Sequence, residues 1–197
     1  MTQPEKVSKV LMLLGSPRKK GNSATLAEQI ARGARSAGAT VESVHLHGLT
    51  IAPCRACYAC QKPRSRGCAV DDDMQALYPK LIEAGAWVIA SPVYWFTLSA
   101  QTKLFLDRCF ALLAYASNPF AGKRIAIAMT YGDTDPVTSG CINALRTFQD
   151  AFAYTKSPIV GMVYGSAPGL GDIRKNEALL VKAEALGRKL VAPGTEG

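Results

Sequence analysis

Five short, mostly apolar runs alternate with longer amphipathic stretches along this chain, and the alternation leaves few folds open. "KVLMLL" (Lys9–Leu14), "TVESVHL" (Thr40–Leu46), "WVIAS" (Trp87–Ser91), "RIAIAMT" (Arg124–Thr130) and "PIVGMVYG" (Pro158–Gly165) read as strands. The near-continuous apolar runs among them suit strands covered on both faces. After each, apolar residues recur at helical spacing: Leu26, Ile30, Ala31 and Ala34 within Ala24–Ser36, then the stretches 71–85, 99–113, 138–154 and 173–191. Strand–helix–strand repeats predict a parallel sheet with helices on both faces and right-handed crossovers. The expected architecture is a three-layer α/β/α sandwich around a five-stranded parallel sheet. Ligands in such sheets bind at the carboxyl ends of the strands, where the strand order reverses. With 197 residues and no linker, repeat or low-complexity tract, the chain suits one domain over 1–197, its tail 192–197 frayed.

The net charge of +8 favours anionic partners. Part of it sits in two loops, "RKK" (Arg18–Lys20) and "KPRSR" (Lys62–Arg66). No aromatic residues interleave with these basic residues and no recognisable binding module surrounds them, which argues against nucleic acid. The amino-terminal "MTQPEKVSK" lacks the apolar core of a signal peptide, and no apolar run approaches the ~20 residues of a membrane span. A cytoplasmic protein with no membrane partner is expected, so the 6 cysteines read as thiols, metal ligands or redox groups and not as structural disulfides.

Three loops fall at the carboxyl ends of predicted strands. The first, "SPRKKGNS", joins the first strand to the first helix. Backbone N–H groups and the dipole at a helix N-terminus form an anion site. Ser16, Asn22 and Ser23 add hydrogen-bond donors, Arg18 a charged fork, and Gly21 a tight turn. The loop matches neither the ATP-binding P-loop nor G-x-G-x-x-G, and an ordinary connection capped by Ser23 is the plainer alternative. The second loop carries Pro92, Val93 and the consecutive aromatics Tyr94, Trp95 and Phe96, surfaces on which a flat ring stacks, though not all of them onto one ring. The third, "TYGDTDPVTSG", contributes Tyr131, Gly132 and Asp133. A phosphate-type, an aromatic and a Gly/Asp loop along one edge suggest a mononucleotide with a flat ring.

"GSPRKKGNSATLAE", "SPVYWFTLSAQTKLFLDR" and "TYGDTDPVTSG" together resemble the NAD(P)H-dependent FMN reductase and iron–sulfur flavoprotein group of the flavodoxin-like superfamily, over nearly the whole chain. Five strands also suit the flavodoxin-like order better than the six of a full dinucleotide-binding sheet. The resemblance implies an FMN-dependent oxidoreductase, a homodimer or homotetramer, that takes hydride from NAD(P)H and passes electrons to a small acceptor such as a quinone, flavin or nitro compound. By motif position Ser16, Arg18, Asn22 and Ser23 would hold the FMN phosphate, Pro92 to Phe96 would border the ring, and Tyr131 to Asp133 would flank its other side. Chemistry on the flavin needs no catalytic side chain from the protein.

Cys54, Cys57, Cys60 and Cys68 are spaced C-x2-C-x2-C-x7-C, so the first three match a ferredoxin run and the fourth is displaced. The spacing resembles the compact motif of iron–sulfur flavoproteins, which implies one 4Fe–4S cluster, with the basic "KPRSR" to offset its charge. Four thiolates also suit zinc, and a metal-free loop framework is the third alternative. Cys109 falls on an apolar helical stripe and reads as packing. Cys141, near a helix start, is either an acidic thiol or a small buried residue. His45 and His47 share one face of a strand, half a metal site at most and more simply a solvated or interface pair. Two rival functions stay open at this stage: an iron–sulfur/flavin carrier fed by ferredoxin-type partners, and a redox-sensing scaffold built on the cysteines.

Overall fold

The computed structural model describes residues 6–63, 65, 67–115 and 118–193. The expected frayed tail falls outside them from position 194, as do two arginines of the "KPRSR" loop, Arg64 and Arg66. The strands are β1 (Lys9–Leu14), β2 (Thr40–His45), β3 (Ala86–Tyr94), β4 (Thr97–Leu98), β5 (Arg124–Tyr131) and β6 (Ile159–Ser166). The helices are α1 (Asn22–Ser36), α2 (Met74–Glu83), α3 (Ala100–Arg108), α4 (Cys141–Tyr154) and α5 (Glu177–Val191). None is long and apolar enough to cross a membrane.

The sheet order is β2-β1-β3-β5-β6, all parallel, so the chain reverses direction across the sheet between β1 and β3. This is the flavodoxin-like arrangement the five apolar runs predict. β1 shows why those runs lack polar alternation. Val10 and Met12 enter the core under α1 and α5, while Leu11 and Leu13 enter the core under α2, α3 and α4. The two faces differ in bulk. Toward α1 and α5 the central strands β3 and β5 present Val88 and four alanines, Ala86, Ala90, Ala126 and Ala128; toward the other layer they present Trp87, Ile89, Ile125, Ile127 and Met129. Small side chains let α1 and α5 lie close to the sheet.

Helix starts shift by two or three residues at α1, α2 and α4, and three larger departures from the sequence reading stand out. The third strand continues to Tyr94 and folds back as β4, with Val93 opposite Leu98 and Tyr94 opposite Thr97, so the sheet has a sixth, short, antiparallel member. Trp95 and Phe96 make the two-residue turn, both left-handed at φ 47° and 65°. Such a turn normally recruits Gly, Asn or Asp, and bulky residues there cost of order 1–3 kcal/mol each. It is clamped from below. A side chain at Gly140 would strike the Phe96 backbone, and the Asn143 amide donates to the Phe96 carbonyl (3.1 Å). The amphipathic stretch 99–113 is α helix only to Arg108 and continues as a 3-10 segment to Ala114. α5 begins at Glu177, after a separate 3-10 turn at 172–175, and is capped by Asn176, whose side chain accepts the Leu179 N–H (3.0 Å).

Candidate functional site: a cleft at the carboxyl edge of the sheet

Because β1, β3, β5 and β6 are parallel, the loops that follow them emerge at one edge. They enclose a cleft of about 160 Å³. Ten of the thirteen ligand-binding residues expected from sequence line it: Ser16, Arg18, Gly21, Asn22, Ser23, Pro92, Val93, Tyr94, Tyr131 and Gly132. Trp95, Phe96 and Asp133 do not. Trp95 projects outward, 91% exposed, with the Phe96 ring edge-on to it at 5.8 Å. Thr130, Ala167 and Pro168, which are not among the residues expected from sequence, complete the lining. Ala167 and Pro168 come from a fourth loop, after β6. Its "SAPGLGD" was a legible turn signal at the same edge.

The first loop is held by side chains from several directions. Ser16 and Ser23 are buried, whereas Arg18 is exposed. The Ser16 hydroxyl accepts the Arg18 N–H (3.1 Å), and the Gly21 N–H donates to the Arg18 carbonyl (3.0 Å). Gly21, not Ser23, caps α1, so Ser23 lies within the first turn. There the N–H groups of Asn22, Ser23 and Ala24 have no intrahelical acceptor. The Asn22 side chain is committed elsewhere. Its amide donates to the carbonyls of Ala167 (3.1 Å) and Gly169 (2.8 Å) and accepts from the Gly171 N–H (2.9 Å). The Asn22 side chain thus braces the fourth loop, while its backbone N–H has no intrahelical acceptor.

A buried hydroxyl cluster joins the first two loops. The Ser99 hydroxyl donates to the Gly15 carbonyl (2.7 Å) and lies 2.9 Å from that of Thr102, while the Ser91 hydroxyl accepts the Ser99 N–H (2.9 Å). On the third loop, burial, then the neighbouring Cys141, Tyr164 and Asp135, push the Tyr131 phenol above its usual range and keep it neutral. Ser166 ties this loop to β6 by donating to the Asp133 carbonyl.

The cysteines lie elsewhere. Cys54, Cys57, Cys60 and Cys68 all line one apolar cavity of about 440 Å³, together with Cys109 and Trp87. Among the described residues no three metal-ligating side chains stand close enough to hold one ion, so neither the cysteines nor His45 and His47 form a ready metal site. Ala56 and Tyr58, between the first three cysteines, are left-handed at φ 51° and 54°. Arg108, a buried cation that the sequence reading did not single out, donates to the Cys68 sulfur (3.4 Å). Burial raises the Cys109 thiol and pushes Cys141 up to about 11, in keeping with Cys141 as a small buried residue.

A family model described as NADPH-dependent FMN reductase matches residues 8–167. The chain is 31–35% identical to three iron–sulfur flavoproteins, two of Archaeoglobus fulgidus and one of Methanosarcina thermophila, matching 56–63% of this chain but only 48–63% of theirs. An iron–sulfur flavoprotein of Methanocaldococcus jannaschii is 32% identical over 82% of this chain and 79% of its own. Among solved structures, an NAD(P)H:quinone oxidoreductase from Methanothermobacter marburgensis superposes with a TM-score of 0.71 at 20% identity, over 97% of this chain and all of the other.

Proposed function

The chain belongs to the NADPH-dependent FMN reductase family, and from that premise we propose that it is an FMN-dependent oxidoreductase, drawing on NAD(P)H and delivering electrons to a small acceptor. One observation carries the reading: residues chosen from three separate loops for phosphate and ring chemistry converge on one cleft. The cleft fits such a coenzyme in kind. Orphan N–H groups, two buried hydroxyls and an arginine suit an anionic tail, while Pro92 to Tyr94 and Tyr131 offer apolar edges to a ring. Its volume is below the roughly 300–1,000 Å³ of typical small-molecule sites. It therefore takes the tail, and the ring lies at the rim.

Bound FMN supplies the hydride- and electron-transfer chemistry. The protein's share is placement. Arg18 would offset the charge of the tail, and the hydroxyls of Ser16 and Ser23 with the first-turn N–H groups of α1 would donate hydrogen bonds to it. Tyr94 and Tyr131 would border the ring. The exposed Trp95–Phe96 turn beside an open cleft supports a homodimer or homotetramer in which a second copy shelters that rim.

The test uses flavin titration of the purified protein. Arg18→Ala is expected to weaken FMN binding roughly ten- to hundredfold (about 1.5–3 kcal/mol for a charged hydrogen bond) and to leave riboflavin, which lacks the phosphate, nearly unaffected. Equal losses for both ligands would remove Arg18 from the tail site. A protein that stays colourless at saturating FMN would overturn the reading.

The cysteine cavity favours a second element of the same proposal. Four thiols on one apolar cavity, left-handed residues between them and a buried guanidinium at Cys68 suit a 4Fe–4S cluster in donor type and charge. Cys54, Cys57, Cys60 and Cys68 would supply its thiolates, and electrons would then also reach protein partners. Anaerobically purified protein is expected to carry about four irons per chain. It should lose them when Cys54 and Cys57 are both changed to Ser, while flavin binding persists. Stoichiometric zinc, or no metal under those conditions, would refute the cluster. Reduction by a ferredoxin with negligible NAD(P)H oxidation would favour the electron-carrier function over the reductase.

A further inference from the structure

We infer that His45 is a positioning residue for the tail-binding loop: its ring fixes the Ser16 carbonyl and so sets the loop in its binding shape before any ligand arrives. The inference rests on the proposed FMN site and adds to it a residue outside the cleft lining.

His45 is the last residue of β2, beside β1 in the sheet, where it pairs with Leu14. Its Nε2 lies 2.8 Å from the Ser16 carbonyl oxygen. A carbonyl only accepts, so Nε2 carries the proton and donates. That fixes the tautomer and leaves Nδ1 as the nitrogen free to be bare. Nδ1 is buried and has no hydrogen-bond partner among the described residues. Next to it, the His47 ring stands edge-on at 6.1 Å, and the Gln101 amide reaches the His47 Nδ1 (3.1 Å). Thus His47 ties the end of β2 to α3 and holds the neighbouring ring.

The target of this bond is what gives it consequence. Two successive carbonyls of the loop are each held by a side chain from a different element: Gly15 by Ser99, at the cap of α3, and Ser16 by His45 from β2. With both carbonyls pinned, the backbone at Ser16 has no freedom to rotate. Its hydroxyl, which accepts the Arg18 N–H, is held in place, and the turn through Arg18 to Gly21 follows. Pro17 has no N–H and cannot anchor the turn itself. A loop ordered in advance gives up less entropy on binding, and the saving appears as affinity for the group the loop grips.

The experiment compares FMN with riboflavin on the wild type and three variants, by flavin fluorescence. In His45→Gln the amide nitrogen falls near the site of Nε2; in His45→Asn it falls near Nδ1; His45→Leu has no donor. The Leu and Asn variants are expected to bind FMN about three- to tenfold more weakly, the range for one net hydrogen bond, with riboflavin affinity unchanged. The Gln variant should recover FMN affinity to within about twofold. An unchanged ratio of FMN to riboflavin affinity in the Leu and Asn variants overturns the inference. So does equal weakening of both ligands, which marks a general structural role, or a folded Gln variant that fails to recover. Should the Leu variant not fold, the Gln–Asn contrast decides alone. A wild type that binds riboflavin as tightly as FMN fails the tail-site reading itself, and is told apart because it needs no variant.

Discussion

Replacing Arg108 by Met is expected to lower the stability of the fold by about 3–5 kcal/mol at neutral pH, the range for removing one partner of a buried ion pair. The side chains of Arg108 and Asp72 are 1% and 5% exposed. The guanidinium donates to both Asp72 oxygens, to the carbonyls of Ala52 (2.9 Å) and Val70 (3.4 Å), and to the Cys68 sulfur (3.4 Å). One residue at the end of α3 thereby holds the whole connection from β2 to α2, cysteines included. Methionine fills similar volume but leaves the Asp72 carboxylate buried with only the N–H groups of Ala52 and Met74.

The pH dependence follows from the carboxyl. Burial pushes Asp72 up, but the Arg108 hydrogen bond, the Ala52 and Met74 N–H groups and the Arg108 charge outweigh it, and the net shift is down. A carboxyl depressed in the folded state contributes stability above its unfolded pKa, and that contribution is lost as pH falls through the folded value. Without Arg108 the depression goes and burial dominates, so Asp72 protonates sooner. The gap between wild type and variant should therefore narrow as pH falls from about 7 toward 4. Urea unfolding at the two pH values measures this. A thiol reagent should also label Cys60 and Cys68 faster in the variant. A loss under about 1 kcal/mol at pH 7, the worth of an exposed pair, would mean that the pair is solvated.

What the sequence made legible and what it hid divide along physical lines. The central strands were legible because burial on both faces forbids polar residues, as at Val10 to Leu13. The cleft was legible because hydroxyls, glycines and aromatics at strand ends carry their chemistry in their type. The bonds of the Asn22 side chain were hidden because its partners lie 145 to 149 residues away, and an amide gives no sign of which acceptor it will find. The Trp95–Phe96 turn was hidden because neither residue favours a positive φ; Gly140 and Asn143, on another element, impose it. Buried charges were hidden too. Arg108 on an amphipathic helix reads as a surface residue. Lys123, just before β5, gives no sign that its amine reaches the carbonyls of Leu81 (2.7 Å) and Ile82 (3.1 Å) at the end of α2.

The close contact between α1 and α5 gives the other large expected effect. Gly187→Val should cost about 3 kcal/mol or more and weaken FMN binding along with stability, although most helix-interior glycines gain from a side chain. Helix propensity alone favours Ala over Gly by about 1 kcal/mol. That gain is overwhelmed because a Cβ at Gly187 would lie 1.9 Å from the Ile30 carbonyl oxygen and 2.8 Å from the Ala34 nitrogen. Gly33 meets the Glu184 carbonyl oxygen at the same 1.9 Å. Both obstacles are backbone and cannot rotate away, so α1 and α5 must move apart. Ala27, Ala31, Ala34, Ala183 and Leu190 would lose contact together, which places the change at or above the top of the overpacking range. Because Asn22 and Ser23 form the first turn of α1, any outward shift of that helix also widens the cleft. Gly33→Val should act alike, and the double variant should fall short of the sum, since one separation relieves both clashes. Lys182→Ala, on the exposed side of α5, serves as the control and should stay within about 0.5 kcal/mol of wild type. Thermal unfolding and FMN titration of the four variants beside wild type test the point. A Gly187→Val protein as stable as wild type would mean that α1 and α5 do not touch through these glycines.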